Sequence, residues 1–236
     1  MAQTMRRLAW IGGALLGAKV LLSLAIQLWP TPTPTWARTL LHSRWRRRYR
    51  DPAGTLRLLN IKPGMRVLEL GPGSGLFTAE AARLVGAQGQ LIGVDLQLGM
   101  LRPLRQDVQA AGLCNALLVA ASAEHMPLAD QSIDLIFAIA VLPMIRNKQQ
   151  ALGELGRLLR TNAVLAVSEE LIEPEYVPAI MSRQWCKQAG FTLLRQHRTP
   201  WWYLLLFRRA PAHQAPTARS HPSSVDWLAL DRASGR

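Results

Sequence analysis

Residues that hold disulfides or metals are scarce in this chain. Its 236 residues include only two cysteines, Cys114 and Cys186, and neither has a CxxC partner or a histidine cluster nearby. Both stand in apolar or helix-like stretches, so the sequence favours reduced thiols over a disulfide framework. The same spacing predicts no metal site.

Acidic residues are scarce as well, and the resulting positive charge lies mainly near the N-terminus. The chain has 28 Lys and Arg against 15 Asp and Glu, for a net charge of +13. Residues 1–68 contain twelve basic residues and one acid, whereas residues 69–207 have a net charge of −1 and residues 208–236 one of +3. A nucleic-acid groove over the whole protein would need basic residues throughout. We therefore expect no nucleic-acid partner.

An apolar run near the N-terminus predicts a membrane anchor within residues 1–30. The run from Leu8 to Trp29 is long enough to cross a hydrocarbon core of ~30 Å as one helix. Trp10 and Trp29 bracket it at positions typical of the two interfaces. Lys19, near its centre, costs roughly 3 kcal/mol on insertion scales. A cleaved signal peptide and a helix lying in the interface are therefore the alternatives to a transmembrane helix.

The flanks of this run predict its orientation. Two arginines precede it, and six follow within the window that sets topology: Arg38, Arg44, Arg46, Arg47, Arg48 and Arg50. The excess of positive charge predicts that the C-terminal side is cytoplasmic. Within residues 31–50, alternating prolines predict a stiff spacer, followed by a basic and aromatic segment that contacts anionic headgroups. A solvated helix or an RNA-binding arm are the alternatives for that segment.

The stretch Val67–Thr78 predicts a strand, a glycine loop and a helix. Gly71, Gly73 and Gly75 alternate along it, and Glu69 stands just before them. Glycines allow a sharp turn and the close approach of a ligand, and the following helix points its N-terminal amides at the same place. The pattern therefore predicts a nucleotide-like ligand with an anionic or carboxylate group.

The spacing of this loop resembles the first motif of the class I S-adenosylmethionine (SAM)-dependent methyltransferases, E/D-x-G-x-G-x-G. The dinucleotide fingerprint G-x-G-x-x-G does not fit, because the third glycine follows the second after one residue. A second predicted strand, 90–95, ends in Asp95, twenty residues after Gly75. An acid at that position is suited to bind both ribose hydroxyls. The resemblance further implies that Leu96 packs on the adenine.

A third stretch is similar to the ubiquinone/menaquinone-biosynthesis-like branch of this class. Residues 121–136 resemble its G-D-A-E-x-L-P-F…FD motif, which implies that Ser122, Ala123 and Glu124 lie at the adenine. Ser122 replaces the usual Asp, and its hydroxyl is a weaker acceptor for the adenine amino group. Ala138, at the end of the fourth predicted strand, completes the cofactor residues that the resemblance implies. No N/D-P-P-Y/F signature follows it, which counts against methylation of nucleic-acid adenine.

The resemblance implies an α/β fold over residues 51–209, with a Rossmann-like seven-stranded class I methyltransferase sheet and a closing antiparallel hairpin. We expect strands at 66–70, 90–95, 116–120, 133–138, 163–168, 191–198 and 201–207. We expect helices at 51–60, 78–85, 100–111, 147–159 and 175–189. Residues 201–207 are too short for the alternative of a membrane span. The composition of residues 210–236 predicts a disordered tail.

The resemblance implies an enzyme that moves a methyl group from SAM to an acceptor. The predicted anchor favours a lipophilic acceptor, such as a quinol, an isoprenoid or a lipid headgroup. His125, Glu169 and Glu170 are candidates for a base because they lie near the carboxyl ends of strands, and the sequence does not select among them. The alternatives are a SAM-binding membrane module without catalysis and a methyltransferase for a soluble metabolite or RNA. Ser122 and Thr161–Asn162, where relatives usually have Pro-Gly, leave the first alternative open.

Overall fold

The computed structural model describes residues 50–209, together with Trp10, Gly13, Gly17, Arg46 and Tyr49. The helices are Pro52–Arg57 (α1), Thr78–Val85 (α2), Leu98–Ala110 (α3), Lys148–Leu158 (α4) and Ala179–Gln188 (α5), with a 3-10 turn at Leu142–Met144. The strands are Arg66–Leu70 (β1), Gln90–Asp95 (β2), Ala116–Ala120 (β3), Ile133–Ile139 (β4), Leu159–Glu170 (β5), Phe191–Arg198 (β6) and Trp202–Arg209 (β7).

The strands form one sheet in the order β3-β2-β1-β4-β5-β7-β6. Neighbours from β3 to β5 are parallel, and β7 pairs antiparallel with both β5 and β6. The strand order reverses between β1 and β4, where an open α/β sheet leaves a crevice at the carboxyl ends of its strands. The predicted seven-stranded sheet with its closing hairpin is confirmed.

Apolar side chains cover both faces of the sheet because its central strands are apolar at successive positions. In β1, Leu68 points into the cluster that α4 and α5 cover, and Val67 points into the cluster under α1 and α2. A smaller cluster joins α3 to β3. Strands buried on both faces are expected in a parallel sheet with helices on each side. Cys186 is buried in the first cluster and Cys114 is exposed, and both are free thiols.

Several predicted boundaries were wrong, among them the start of β5 at Leu159 rather than Ala163 and the end of α1 at Arg57 rather than Asn60. Two others bear on the site. Strand β5 runs on to Glu170 rather than ending at Ser168, because it pairs with β7 through Glu169 and Glu170. Helix α5 begins at Ala179 rather than Glu175. Pro178 explains the late start, since a proline disfavours helical backbone at the residue before it.

The predicted anchor and spacer lie largely outside the described residues, and the predicted tail at 210–236 lies wholly outside them. Trp10, Gly13 and Gly17 are helical and exposed. Among the described residues, no helix combines the length and the apolar character that crossing a bilayer requires.

Candidate cofactor and acceptor site

A cavity of about 500 Å³ opens at the carboxyl ends of β1, β2 and β4. Eight of the ten residues proposed from the sequence for cofactor binding line it: Glu69, Gly71, Gly73, Asp95, Leu96, Ser122, Ala123 and Glu124. They come from three separate segments of the chain. The fold therefore brings these motifs together at the crevice where the strand order reverses.

The glycine loop forms one wall of the cavity. The Gly71 amide donates to the Val94 carbonyl at 2.7 Å, and a Cβ on Gly71 would lie 2.5 Å from Val141 Cγ2. Gly73 has a positive φ of 52°, and a Cβ on it would meet nothing nearer than the Gly71 carbonyl oxygen at 4.0 Å. A side chain at position 73 would thus project into open space beside the loop, where a ligand can approach the backbone.

The structure does not place Gly75 or Ala138 on the cavity wall. A Cβ on Gly75 would lie 2.2 Å from Leu104 Cδ1, so this glycine allows α3 to pack against the loop. Ala138 is buried in the sheet core on the face opposite that of Phe137 and Ile139. Ala140, one residue beyond β4 and with a φ of 56°, reaches the cavity instead.

Two carboxyl groups mark the cofactor side of the cavity. Glu69 is buried and accepts a hydrogen bond from Thr78 Oγ1 at 2.7 Å. Burial raises the pKa of Glu69 to about 8, against the lowering effect of that hydrogen bond. Asp95 accepts from the Gly73 amide at 3.1 Å and from the Gln97 amide at 2.9 Å. Burial raises the pKa of Asp95, and these amides oppose the increase.

Ser122 and Glu124 act as a pair. Ser122 Oγ donates to Glu124 Oε2 and accepts from the Glu124 amide at 3.3 Å. Both residues line the cavity. The carboxylate that the resemblance expects at position 122 is therefore present within one hydrogen bond of it, on Glu124.

The segment before α1 is docked on the end of β5 through Glu170, whose side chain is fully buried. Arg46 Nε and Nη2 each donate to its carboxylate at 3.3 Å. The Tyr49 hydroxyl donates to Oε2, and Arg50 Nε lies 3.5 Å from Oε1. Arg46, Tyr49, Arg50 and Glu170 are called the docking cluster below.

Aromatic rings complete the surroundings of Arg50, which is fully buried. Its guanidinium carbon lies 3.9 Å from the ring centroid of Trp202 and 5.8 Å from that of Phe77. Its Nη2 donates to Ser168 Oγ at 2.5 Å. Arg46 lines the cavity and also pairs with Glu173 at 3.2 Å. The docking cluster thus holds Arg46 in the cavity wall.

None of the three predicted base candidates lines the cavity. His125 is exposed, and its Nε2 lies 2.9 Å from Gln150 Nε2. Glu170 belongs to the docking cluster. Glu169 is buried, and its Oε1 has no hydrogen-bond partner among the described residues. Burial raises the pKa of Glu169 well above its usual range, which favours the neutral acid. Both glutamates are thus buried at the end of β5 rather than exposed at the cavity.

Several cavity residues were missed by the sequence reasoning. The charged ones are Arg46, Arg146, Glu173 and Glu175, and the apolar ones include Leu76, Phe77, Ile139, Met144 and Ile145. Glu173 and Glu175 follow the observed end of β5, so a strand predicted two residues longer would have pointed to them. Arg46 has no such signal, because it meets Glu170 across 124 residues of sequence.

The family of the chain is decided by a match over its central region. Residues 61–202 match the family model described as a methyltransferase domain. The chain belongs to this methyltransferase domain family. The class I SAM-dependent methyltransferase predicted from the sequence is thereby confirmed.

One group of relatives agrees with the predicted branch. The chain is 36% identical over 138 residues to the ubiquinone/menaquinone biosynthesis C-methyltransferase UbiE of Yersinia pestis. The match covers 57% of this chain and 53% of that protein. The chain therefore spans about half the length of the curated relatives it matches.

Solved structures agree with the fold. A SAM-dependent methyltransferase from Aquifex aeolicus superposes with a TM-score of 0.71 at 23% identity, covering 75% of this chain and 98% of its own. A Haemonchus contortus phosphoethanolamine N-methyltransferase 2, solved with phosphomonomethylethanolamine and S-adenosylhomocysteine, gives 0.58 at 13% identity, covering 69% and 53%. At these identities the likeness supports the fold alone.

S-adenosylmethionine is the cofactor of the family, and the residues at the cavity fit it. The loop is open to a ligand at Gly73, and Asp95 and Glu124 supply acceptors for hydroxyl and amino groups. Glu69 is suited to an ammonium group, which would favour its ionised form. When bound, this cofactor supplies an electrophilic methyl group on a sulfonium.

Proposed function

We propose that this protein is a membrane-anchored methyltransferase that methylates a lipophilic small-molecule acceptor on the cytoplasmic side, with a quinol precursor as the first candidate. The observation that carries the proposal is the apolar wall of the cavity. Beyond the residues suited to the cofactor, Phe77, Ile139, Met144 and Ile145 line the same space. Such a wall suits an apolar acceptor, because burying apolar surface is favourable.

The chemistry requires little more from the chain than positioning. Methyl transfer from a sulfonium is a direct displacement, so alignment of the acceptor with the methyl supplies much of the rate. The cavity walls bind and orient the acceptor, and the docking cluster covers one side of it. The UbiE relatives are named as C-methyltransferases of ubiquinone and menaquinone biosynthesis. We take the quinol class from that name as part of the proposal.

The proposed tether supports the same class of acceptor. Sixteen residues, 30–45, separate the end of the predicted anchor from Arg46. Fully extended, they reach at most about 55 Å. A domain held within that distance of a bilayer meets a membrane-dissolved acceptor at high effective concentration.

The test uses native membranes that contain the full chain and methyl-labelled SAM, followed by extraction into organic solvent. Gly73→Asp is the control, since aspartate tolerates a left-handed backbone and its carboxylate would fill the open space at the loop. We expect organic-phase label that is lost in the control, and mass spectrometry would then identify the product. Label confined to a soluble product would contradict the lipophilic acceptor. Intact SAM binding without any label would contradict the enzymatic proposal.

A further inference from the structure

Five carboxyl groups line the cavity, and four of them are engaged. Glu69 accepts from Thr78, Asp95 from two backbone amides, Glu124 from Ser122, and Glu173 pairs with Arg46. The fifth is Glu175. Among the described residues it makes no hydrogen bond or ion pair with another residue, and its side chain accepts only from its own backbone amide. Glu175 is therefore the cavity carboxylate whose acceptor capacity is open.

The loop that carries Glu175 is braced on both sides. The Glu173 amide donates to the Glu170 carbonyl at 3.0 Å, and the Tyr176 amide donates to the Glu173 carbonyl at 3.2 Å. One residue further, the Val177 carbonyl accepts from the Tyr203 hydroxyl at 3.0 Å. Because its neighbours are tied to the sheet, Glu175 presents its carboxylate from a defined position, as a catalytic group requires.

The surroundings of Glu175 favour proton uptake by its carboxylate. Its side chain is half-buried, and burial raises its pKa. The charged groups nearby are Glu169 at the end of β5, Glu173 on the same loop, and Arg46 and Arg146 on the cavity wall. Burial favours the neutral form of Glu169, and Glu173 is paired with Arg46. A carboxylate whose pKa is raised is a stronger base than an exposed carboxylate.

We propose that Glu175 is the catalytic base of this enzyme and takes the proton from the hydroxyl of the proposed quinol acceptor. The inference rests on the proposed function and adds the residue that activates the acceptor. A phenol has a pKa near 10, so at neutral pH it needs a base to become a strong nucleophile. A neutral amine acceptor attacks through the lone pair on its nitrogen and therefore needs no base to become a nucleophile.

The step balances in atoms and charge. The Glu175 carboxylate takes the hydroxyl proton, and the electron density moves into the oxygen or the conjugated ring carbon. That atom forms the new bond to the methyl carbon as the carbon–sulfur bond breaks, and the bonding pair remains on sulfur. When carbon is methylated, the ring carbon then loses its hydrogen as a proton to water, and the oxygen regains a proton from the protonated Glu175. The aromatic ring and the free carboxylate are thereby restored.

The experiment compares wild type, Glu175→Gln and Glu80→Gln in the full chain reconstituted in vesicles. Glu80 is a matched control because it does not line the cavity. Among the described residues it pairs with Arg83 on the surface of α2. The probe is a naphthoquinol with a short prenyl tail, kept reduced. Three quantities are measured from pH 5.5 to 9: the Kd for SAM, the Kd for the quinol without SAM, and kcat.

We expect Glu175→Gln to lower kcat at pH 7 by roughly 10²- to 10⁴-fold, the usual contribution of a general base. At pH 7 both Kd values should stay within about threefold of wild type. The deficit in kcat should shrink toward pH 9 as the quinol ionises by itself. Glu80→Gln should match wild type. An unchanged kcat for Glu175→Gln in active protein would overturn the proposal. The proposal would also be overturned if wild type methylated phosphoethanolamine and Glu175→Gln raised the KM for it, because Glu175 would then bind the ammonium group of the acceptor.

Failure of the proposed function leads to a different pattern. If the proposed function is wrong, wild type turns over no lipophilic probe. The Kd for the quinol without SAM then still tests whether the Glu175 carboxylate contacts the quinol hydroxyl. We then expect the wild-type quinol Kd to depend on pH and the dependence to vanish in Glu175→Gln, because the carboxylate accepts the quinol proton. Binding without that dependence, or no quinol binding at all, would overturn the assignment of Glu175.

Discussion

Replacing Glu170 with glutamine tests the docking cluster, because it removes one charge while keeping the shape of the side chain. Arg46, Tyr49 and Arg50 all meet this one buried carboxylate. Without it, Arg50 remains as a fully buried cation with only Ser168 and two aromatic rings around it. Breaking a buried ion pair by removing one partner costs about 3–5 kcal/mol. Arg50 keeps its stacking on Trp202, worth up to about 2 kcal/mol, so we expect a loss of about 3 kcal/mol.

The measurement is chemical and thermal unfolding of the full chain in one detergent. For a protein of this size, 1 kcal/mol corresponds to about 2–4 °C in Tm, so Glu170→Gln should lower Tm by roughly 6–12 °C. Glu80→Gln removes an exposed pair on α2 and should change stability by less than about 0.5 kcal/mol. Adding Arg50→Met to Glu170→Gln should recover part of the loss, since the unpaired cation is then gone. A loss below about 1 kcal/mol for Glu170→Gln would refute the buried ion cluster as the means of docking.

The remaining predictions concern the cofactor side of the cavity. Gly73→Ala should lower SAM affinity at least tenfold and should cost about 1–2 kcal/mol of stability, because alanine is strained in a left-handed backbone. Gly75→Ala should cost more stability and less SAM affinity, because its Cβ would meet Leu104 rather than the cavity. Glu69 has a folded pKa of about 8 against an ordinary 4.5, so its contribution to ligand-free stability is full below about pH 4.5 and is lost as pH rises through 8. Glu69→Gln should remove the decline in stability with rising pH. In wild type, SAM binding at pH 7 should release a proton from Glu69, which calorimetry in buffers of different ionisation enthalpy would detect. Glu124→Gln should weaken SAM binding more than Ser122→Ala, by direct titration.

Local patterns predicted much of the fold. The bounds of β1, α2, β2, β3 and β6 agree with those expected from the sequence, because short apolar runs and glycine stops determine them. These elements carry the glycine loop and Asp95. The sequence therefore predicted the part of the cavity that these elements form.

The other side of the cavity depends on contacts between distant segments. β5 continues to Glu170 because β7 and the docking cluster pair with it, and neither partner is close in sequence. The end of β4 is likewise set by its pairing with β5, which puts Ala140 rather than Ala138 at the cavity. Strand ends defined by partners elsewhere in the chain cannot be deduced from a local window.

The docking cluster also has a consequence for the order of events during synthesis. Arg50 is separated from Trp202 by 152 residues, which a ribosome adds in about 8–30 s. For the first 120 of these residues Glu170 has not been added either, so the guanidinium has neither of these partners to contact. If residues 8–29 enter the membrane as proposed, they do so while Arg46 and Arg50 are still available to set the orientation. The same two arginines would then act twice, first as topology signals on the nascent chain and later in the docking cluster, through which Arg46 lines the finished cavity.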